Sequence, residues 1–242
     1  MANIHTMLQG KGGVGKSFGC STLPQYYAAK DRKVQLIDTD PVNATFAGYQ
    51  ALNVMRLELM NADKQINPRN FDNLIQIIAE TDCDIIIDNG ASSFVPLTHY
   101  LISNQVPALI AEMGHNLVIH TVVTGGQSLI DTVSGLGQLA SQFPQEATFV
   151  VWLNPFWGPI EHEGKPFEQM KANKDNKARI SAIINVPALD PETFGQDLSK
   201  TLQDRITFDQ ALANPDLTVM NRQRLKLIRT RLFDQLDTAG VF

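Results

Sequence analysis

Eight consecutive residues, Gly10-Lys11-Gly12-Gly13-Val14-Gly15-Lys16-Ser17, restrict this chain more than any other feature. Glycine, four residues, then Gly-Lys-Ser is the phosphate-loop pattern. Glycines let the backbone turn tightly enough for successive N–H groups to point at one anion. Such a loop belongs between a strand and the N-terminus of a helix, whose positive dipole end adds to the cradle. The flanks comply. Ile4–Leu8 is an apolar run of strand length, and Lys16–Lys30 reads as a helix with a kink at Pro24. Gly10, Gly12, Gly13, Val14 and Gly15 then form the cradle. Lys16 reaches the β- and γ-phosphates, Ser17 ligates Mg²⁺, and Phe18 joins the binding residues at the first helical turn.

The rest of the chain continues the same frame. Val34–Ile37, Ile85–Ile87, Pro107–Ala111, Leu117–Val123 and Phe149–Leu153 read as strands, with Ile180–Val186 a further short one. Helical patterns fall at Phe71–Glu80, Gln127–Phe143 and Glu192–Arg205, and a C-terminal helix at about 217–237. Alternation of this kind predicts an α/β fold: a doubly wound, mostly parallel sheet with helices on both faces. The strands are almost wholly apolar, as strands covered on both sides must be. No repeat or linker marks a boundary, so residues 1–242 are expected to form one P-loop domain with the C-terminal helix packed on it. Ala44–Arg69 is the least readable segment, helix plus loop, and a candidate mobile region.

Two strands end in acids. Asp38-Thr39-Asp40-Pro41 follows the second, and Asp88-Asn89-Gly90 follows Ile85–Ile87. Carboxylates at the C-terminal ends of parallel strands sit beside the phosphate loop, where open α/β sheets bind ligands. An apolar strand closing on aspartate is the Walker B arrangement, in which Asp88 holds Mg²⁺ through water. Gly90 lets the backbone approach a γ-phosphate. Ser92 and Ser93 follow as contacts to phosphate-bound water or as caps of the next helix, the cap being favoured.

Lys11 is not demanded by a generic phosphate loop. With Lys16 and Asp-Thr-Asp-Pro it makes the chain similar to the MinD/ParA family of ATPases, which carry a deviant Walker A motif and an Asp-x-Asp-Pro switch I. That resemblance implies that Lys11 crosses the interface of a nucleotide-sandwich homodimer to the partner's ATP. It implies that Asp40 positions the attacking water and that Asp38 assists the metal or stands behind it. The catalytic set is therefore Lys11, Lys16 and Asp40, and the metal set Ser17, Asp38 and Asp88. Asn154, at the end of a strand, corresponds to the residue that bonds the adenine edge, and Pro187 to a second base-contacting loop. The residues after Asp88 depart from the Thr-Pro-Pro usual in partition ATPases. No Asn-Lys-x-Asp guanine reader occurs, which favours ATP over GTP.

Four stretches, Gln9–Ser17, Ile37–Phe46, Ile87–Pro96 and Asn154–Glu161, are similar to a plasmid-encoded branch of the family concerned with conjugal transfer. The branch implies a role in plasmid transfer or stability, beside a small plasmid DNA-binding protein of the relaxosome region. A rival reading is a metabolic ligase or kinase-like enzyme on the same framework, as in dethiobiotin synthetase-like ligases. Asn89, Ser92, Ser93 and Thr124-Gly125-Gly126 would then line an acceptor pocket. A third, a binding module with a vestigial loop, is disfavoured because loop, metal ligands and catalytic acid occur together.

Composition bounds the rest. A net charge of -5 excludes a surface that is a nucleic-acid glove throughout. Arg222, Arg224, Lys226, Arg229 and Arg231 form a local basic run, read first as the solvated face of the C-terminal helix and second as a patch for DNA or an anionic membrane. No apolar run reaches the roughly 18–20 residues of a membrane span, and the first residues lack the basic and apolar regions of a signal peptide. A cytoplasmic protein is expected. Cys20 and Cys83 are the only cysteines, too few and too early for the family's intersubunit iron–sulfur cluster, and both are read as small core residues. His5, His99, His115, His120 and His162 show no metal-ligand spacing. Trp152 and Trp157 flank Asn154, as pocket walls or as core.

Overall fold

The computed structural model describes Met1–Phe242. Its strands are β1 (Asn3–Met7), β2 (Val34–Asp38), β3 (Met55–Arg56), β4 (Asp84–Asp88), β5 (Asn116–Thr124), β6 (Ala147–Asn154), β7 (Glu161–His162), β8 (Lys165–Pro166) and β9 (Ile180–Asn185). The helices are α1 (Lys16–Ala29), α2 (Phe71–Glu80), α3 (Phe94–Ser103), α4 (Val106–Glu112), α5 (Leu129–Gln142), α6 (Lys171–Asn176), α7 (Phe194–Gln203), α8 (Phe208–Ala213) and α9 (Val219–Ala239). Seven strands form one parallel sheet in the order β3-β2-β4-β1-β5-β6-β9, and β7 and β8 form a separate antiparallel hairpin.

Alternation along the strands builds the two core layers. Ile85 and Ile87 face one side with Ile4, Ile37 and Ile119, against α2, α3, α4 and α5. Ile86 faces the other with Met7, Val122 and Trp152, against α1, α8 and α9. Both faces are covered by helices, which is why the strands read as unbroken apolar runs. On α9, Leu225, Ile228, Leu232 and Leu236 are the buried stripe. Thr218 opens that helix through a capping box with Asn221. No helix is long and apolar enough to cross a membrane.

Two expectations are corrected. Pro107–Ala111 is not a strand but most of α4. Gln105 takes a left-handed conformation (φ 52°) and turns the chain out of α3, and Pro107 then sits in the first turn, where its missing N–H costs nothing. A short apolar run does not by itself distinguish strand from buried helix. Ala44–Arg69 holds no α-helix. It carries two 3₁₀ turns and the start of a third, the edge strand β3 and a bridge between Met60 and Ile66, with Phe46, Tyr49 and Leu59 buried. Pro24 lies inside α1, which continues past it as one helix.

Candidate functional site

The chain departs in both directions from the centre of the sheet: β1 lies between β4 and β5. Such a reversal opens a crevice at the strand C-termini, and the loop from β1 to α1 fills it. Two of its glycines need the freedom they have. Gly13 (φ 72°) and Gly15 (φ 106°) are left-handed, and a Cβ on Gly15 would lie 2.7 Å from Asn154 Nδ2. Gln9 anchors the base of the loop. Its Nε2 donates to Val122 O at 3.0 Å, and its Oε1 accepts from Lys11 N at 3.3 Å. Lys16 folds back over the loop and donates to Lys11 O at 2.8 Å. Burial lowers its pKa, opposed by the charges of Asp88 and Asp40. A desolvated ammonium folded over a glycine-rich loop at a helix N-terminus is an arrangement that suits an anion.

Lys11 points elsewhere. Its Nζ pairs with Asp131 Oδ2 on α5 at 2.8 Å, and its side chain is 44% exposed. Asp131 carries no motif. Its only sequence signal is an acid in the first turn of the helix after β5.

The two acidic loops are built against each other. Both Asp38 oxygens accept backbone N–H groups at 2.8 Å, from Asp40 and from Ala47, so this buried carboxylate ties down its own loop. Burial raises its pKa while those two bonds lower it. Asp40 Oδ1 accepts from Val42 N at 2.9 Å and Asn43 N at 3.2 Å, and its carboxyl lies over Gly90, where a Cβ would be 2.5 Å from Asp40 Cγ. Asp88 is 2% exposed. Burial pushes its pKa up to about 6, against the pull of the Ser17 hydroxyl, with Asp38 pushing further upward. Its Oδ1 is buried with no hydrogen-bond partner. An orphaned carboxylate oxygen beside a hydroxyl suits a hard cation. No three His, Cys, Asp or Glu side chains gather anywhere, so phosphate oxygens and water would have to complete the shell.

Ser93 occupies the N-cap position of α3, but its hydroxyl does not cap the helix; it donates to Asn89 Oδ1 at 2.7 Å and is shared with Gly90 O at 3.1 Å. The favoured capping role is thereby corrected: the Ser93 hydroxyl is turned back to the preceding loop and accepts no N–H of the first turn. Asn154 Nδ2 donates to Val14 O at 2.9 Å and its Oδ1 accepts from Phe156 N at 3.2 Å. The carboxamide expected at a base edge thus ties β6 to the phosphate loop. Trp152 is core, bonded through Nε1 to His120 Nδ1 at 3.0 Å, whereas Trp157 lies over the loop and donates to Gly13 O at 3.2 Å. Phe18 packs into the α1 layer and lines a small cavity with Tyr49 and Leu198. Pro187 follows β9, half-buried. Cys20 is buried in α1.

The acceptor pocket of the rival reading is not formed. Asn89 and Ser93 are spent on each other, and Thr124 Oγ1 donates to Asn154 O at 2.7 Å. Gly125 and Gly126 back directly onto the carbonyls of Gly158 and Trp157. The basic run is also largely spoken for. Arg224 pairs with Asp197 and Arg229 with Asp209, Arg222 donates to Asn214 O at 3.4 Å, and Arg231 lies over the Phe194 ring.

Comparison with known proteins bears on the family and the fold. The CobQ/CobB/MinD/ParA nucleotide binding domain matches residues 6–190. Two relatives, each a protein TraL from Escherichia coli, are 68% and 66% identical over 241 residues, covering 100% of this chain and of each relative. The septum site-determining protein MinD of Pyrococcus horikoshii, complexed with Mg-ADP, has a TM-score of 0.54 at 18% identity over 100% of this chain and 98% of that one. A chain of the MinC:MinD cell division complex of Aquifex aeolicus has a TM-score of 0.53 at 15% identity over 96% of each chain. Those two likenesses speak for the fold alone, a MinD/ParA-like P-loop architecture. By sequence and by fold, the chain belongs to the CobQ/CobB/MinD/ParA nucleotide-binding family.

Proposed function

We propose that the chain is a cytoplasmic ATP-driven switch of plasmid conjugal transfer or stability, in which bound ATP joins two copies and slow hydrolysis releases them. The observation that carries this reading is the direction of Lys11. Its backbone belongs to the cradle, yet its ammonium leaves the cradle for the exposed Asp131. An exposed ion pair of this kind contributes about 0–1 kcal/mol, so exchanging Asp131 for an anion on a second molecule costs little.

The reading gives the other residues roles that their places support. Backbone N–H groups of Gly10–Ser17 bind the phosphates, with Lys16 above them. The Ser17 hydroxyl and the orphaned Asp88 oxygen hold Mg²⁺, which when bound offsets charge on the transferred phosphoryl group. Asp38 braces the Asp40 loop, and Asp40 orients water from its seat on Gly90. Asn154 and Trp157 brace the loop beside the base. Because Asn89, Ser93 and Thr124, which an acceptor pocket would use, are bonded elsewhere, the output is read as an altered surface for a partner, here a small plasmid DNA-binding protein.

Light scattering tests the reading directly. A monomer with Mg²⁺ and ADP should become a dimer with Mg²⁺ and a non-hydrolysable ATP analogue. Lys11→Ala should bind the analogue and stay monomeric. A normal analogue-bound dimer in that variant would remove Lys11 from the interface, and bound nucleotide without any change of mass in the wild type would remove the switch.

A further inference from the structure

Past the last paired residues of β2 and β4, three fully buried side chains meet, with Thr39 and Ser93 both on Asn89. Asn89 is 0% exposed, as are Thr39 and Ser93. A carboxamide withdrawn from water in this way must be hydrogen-bonded to be tolerated. Asn89 Oδ1 accepts from Ser93 Oγ at 2.7 Å and from Thr39 Oγ1 at 3.2 Å, and its Nδ2 donates to Gly90 O at 3.3 Å. Thr39 N also donates to Asp88 O at 2.9 Å, and the single Thr39 hydroxyl proton is shared between Asp88 O at 2.8 Å and Asn89 Oδ1. Ser93 N donates to Gly90 O at 3.2 Å.

The register from Val34↔Asp84 to Asp38↔Asp88 already holds β2 beside β4. The cluster on Asn89 therefore adds little to strand pairing. Its effect is to join what comes next: the loop that carries Asp40 and the loop that carries Gly90. A second link runs parallel to it, the Asp40 carboxyl resting on the Cα of Gly90. One link is made of directional hydrogen bonds and the other of steric contact, and both connect the same two loops.

We infer that Asn89 is a positioning residue that makes the Asp40 and Gly90 loops move as one body, so that a phosphate drawing on Gly90 also sets Asp40. This deepens the nucleotide-switch reading and rests on it. Displacing a water-orienting carboxylate by a fraction of an ångström is costly to turnover and nearly neutral for binding.

The test uses the full chain and two conservative deletions of one hydroxyl each, Thr39→Val and Ser93→Ala, with Thr39→Ser as the variant that restores the donor. Steady-state ATP turnover, the affinity for Mg²⁺ and a fluorescent ADP analogue, and the thermal midpoint are measured on each. Both deletions should lower kcat by about tenfold, with KM and analogue affinity held within about twofold. The double variant should lose less than the product of the two single losses, because both hydroxyls act through one Oδ1. Thr39→Ser should recover kcat. A kcat within about twofold of wild type in both deletions, whatever their thermal midpoints, overturns the inference and leaves the switch standing. So does a loss of kcat that tracks the midpoint and is not rescued by Thr39→Ser. A wild-type chain that neither binds the analogue nor turns over ATP overturns both.

Discussion

His5 Nδ1 lies 2.9 Å from His120 Nε2, inside the layer beneath α1, although the two residues are 115 positions apart. Trp152 Nε1 can only donate, and it bonds His120 Nδ1. His120 therefore carries its proton on Nε2 and passes a donor to His5 Nδ1. His5 in turn donates from Nε2 to the Tyr27 hydroxyl at 2.9 Å, and Tyr27 donates to Asp84 Oδ2 at 3.0 Å. Arg32 closes the chain on Asp84 at 2.6 Å. Every member has one direction, and Phe242 stacks on both imidazoles.

The protonation state is predicted from that direction. Burial lowers the His5 pKa from 6.5 to about 4, partly opposed by Asp84, and lowers that of His120 well below its ordinary value. A folded pKa below the unfolded one means stability that is whole above about pH 6.5 and drains as the pH falls through about 4. Long-range ¹H–¹⁵N correlation spectra should show both rings as neutral Nε2–H tautomers at pH 7 and His5 still neutral at pH 5. A charged His5 at pH 6 would refute the one-way chain.

Gly90→Ala should separate binding from turnover. The new Cβ would meet Asp40 Cγ and Oδ1 at 2.5 Å, so the carboxyl must leave its seat. A displacement near 1 Å at a reacting group costs on the order of 100-fold in rate. Phosphate-release assays should show that loss, while titration with a fluorescent ADP analogue shows affinity close to wild type.

Asn154→Ala distinguishes a brace from a base reader. The brace predicts that ADP and GDP affinities fall together, by about tenfold, because Val14 O is left without its donor and the cradle slackens. Calorimetric titrations with the two nucleotides decide it. A loss confined to ADP would return the residue to the adenine edge.

The basic run predicts unequal variants. Arg224 and Asp197 are mostly buried and Asn221 also bonds that aspartate, so Arg224→Ala should cost about 2–4 kcal/mol in urea unfolding. Lys226, exposed and with no ion pair, should change by less than about 0.5 kcal/mol when replaced by alanine. Equal, small effects would mean that α9 is not held by these pairs.

How far the chain could be read depended on the distance over which each feature is encoded. The cradle was legible because a phosphate loop is a local object, its strand, glycines, lysine and helix start lying within adjacent residues. Asp38, Asp40 and Asp88 were legible because parallel strands place their C-terminal residues on one rim, and the α/β alternation followed from helices covering both faces of apolar strands. Pro107–Ala111 was not, since a five-residue apolar run leaves strand and buried helix equally open until Gln105 is seen to reverse the chain. Packing alone decided which polar groups meet. Lys11 finds Asp131 across 120 positions, Asn154 finds Val14 across 140, and Arg224 finds Asp197 on another helix. His5 and His120, scattered in sequence, become neighbours because β1 and β5 pair in register, and Thr39 reaches Asn89 because β2 lies beside β4. Local propensity and periodicity set the elements and the chemistry that each carries. The partner of each buried polar group was set only when the sheet order brought distant strand ends together and water was no longer there to satisfy them.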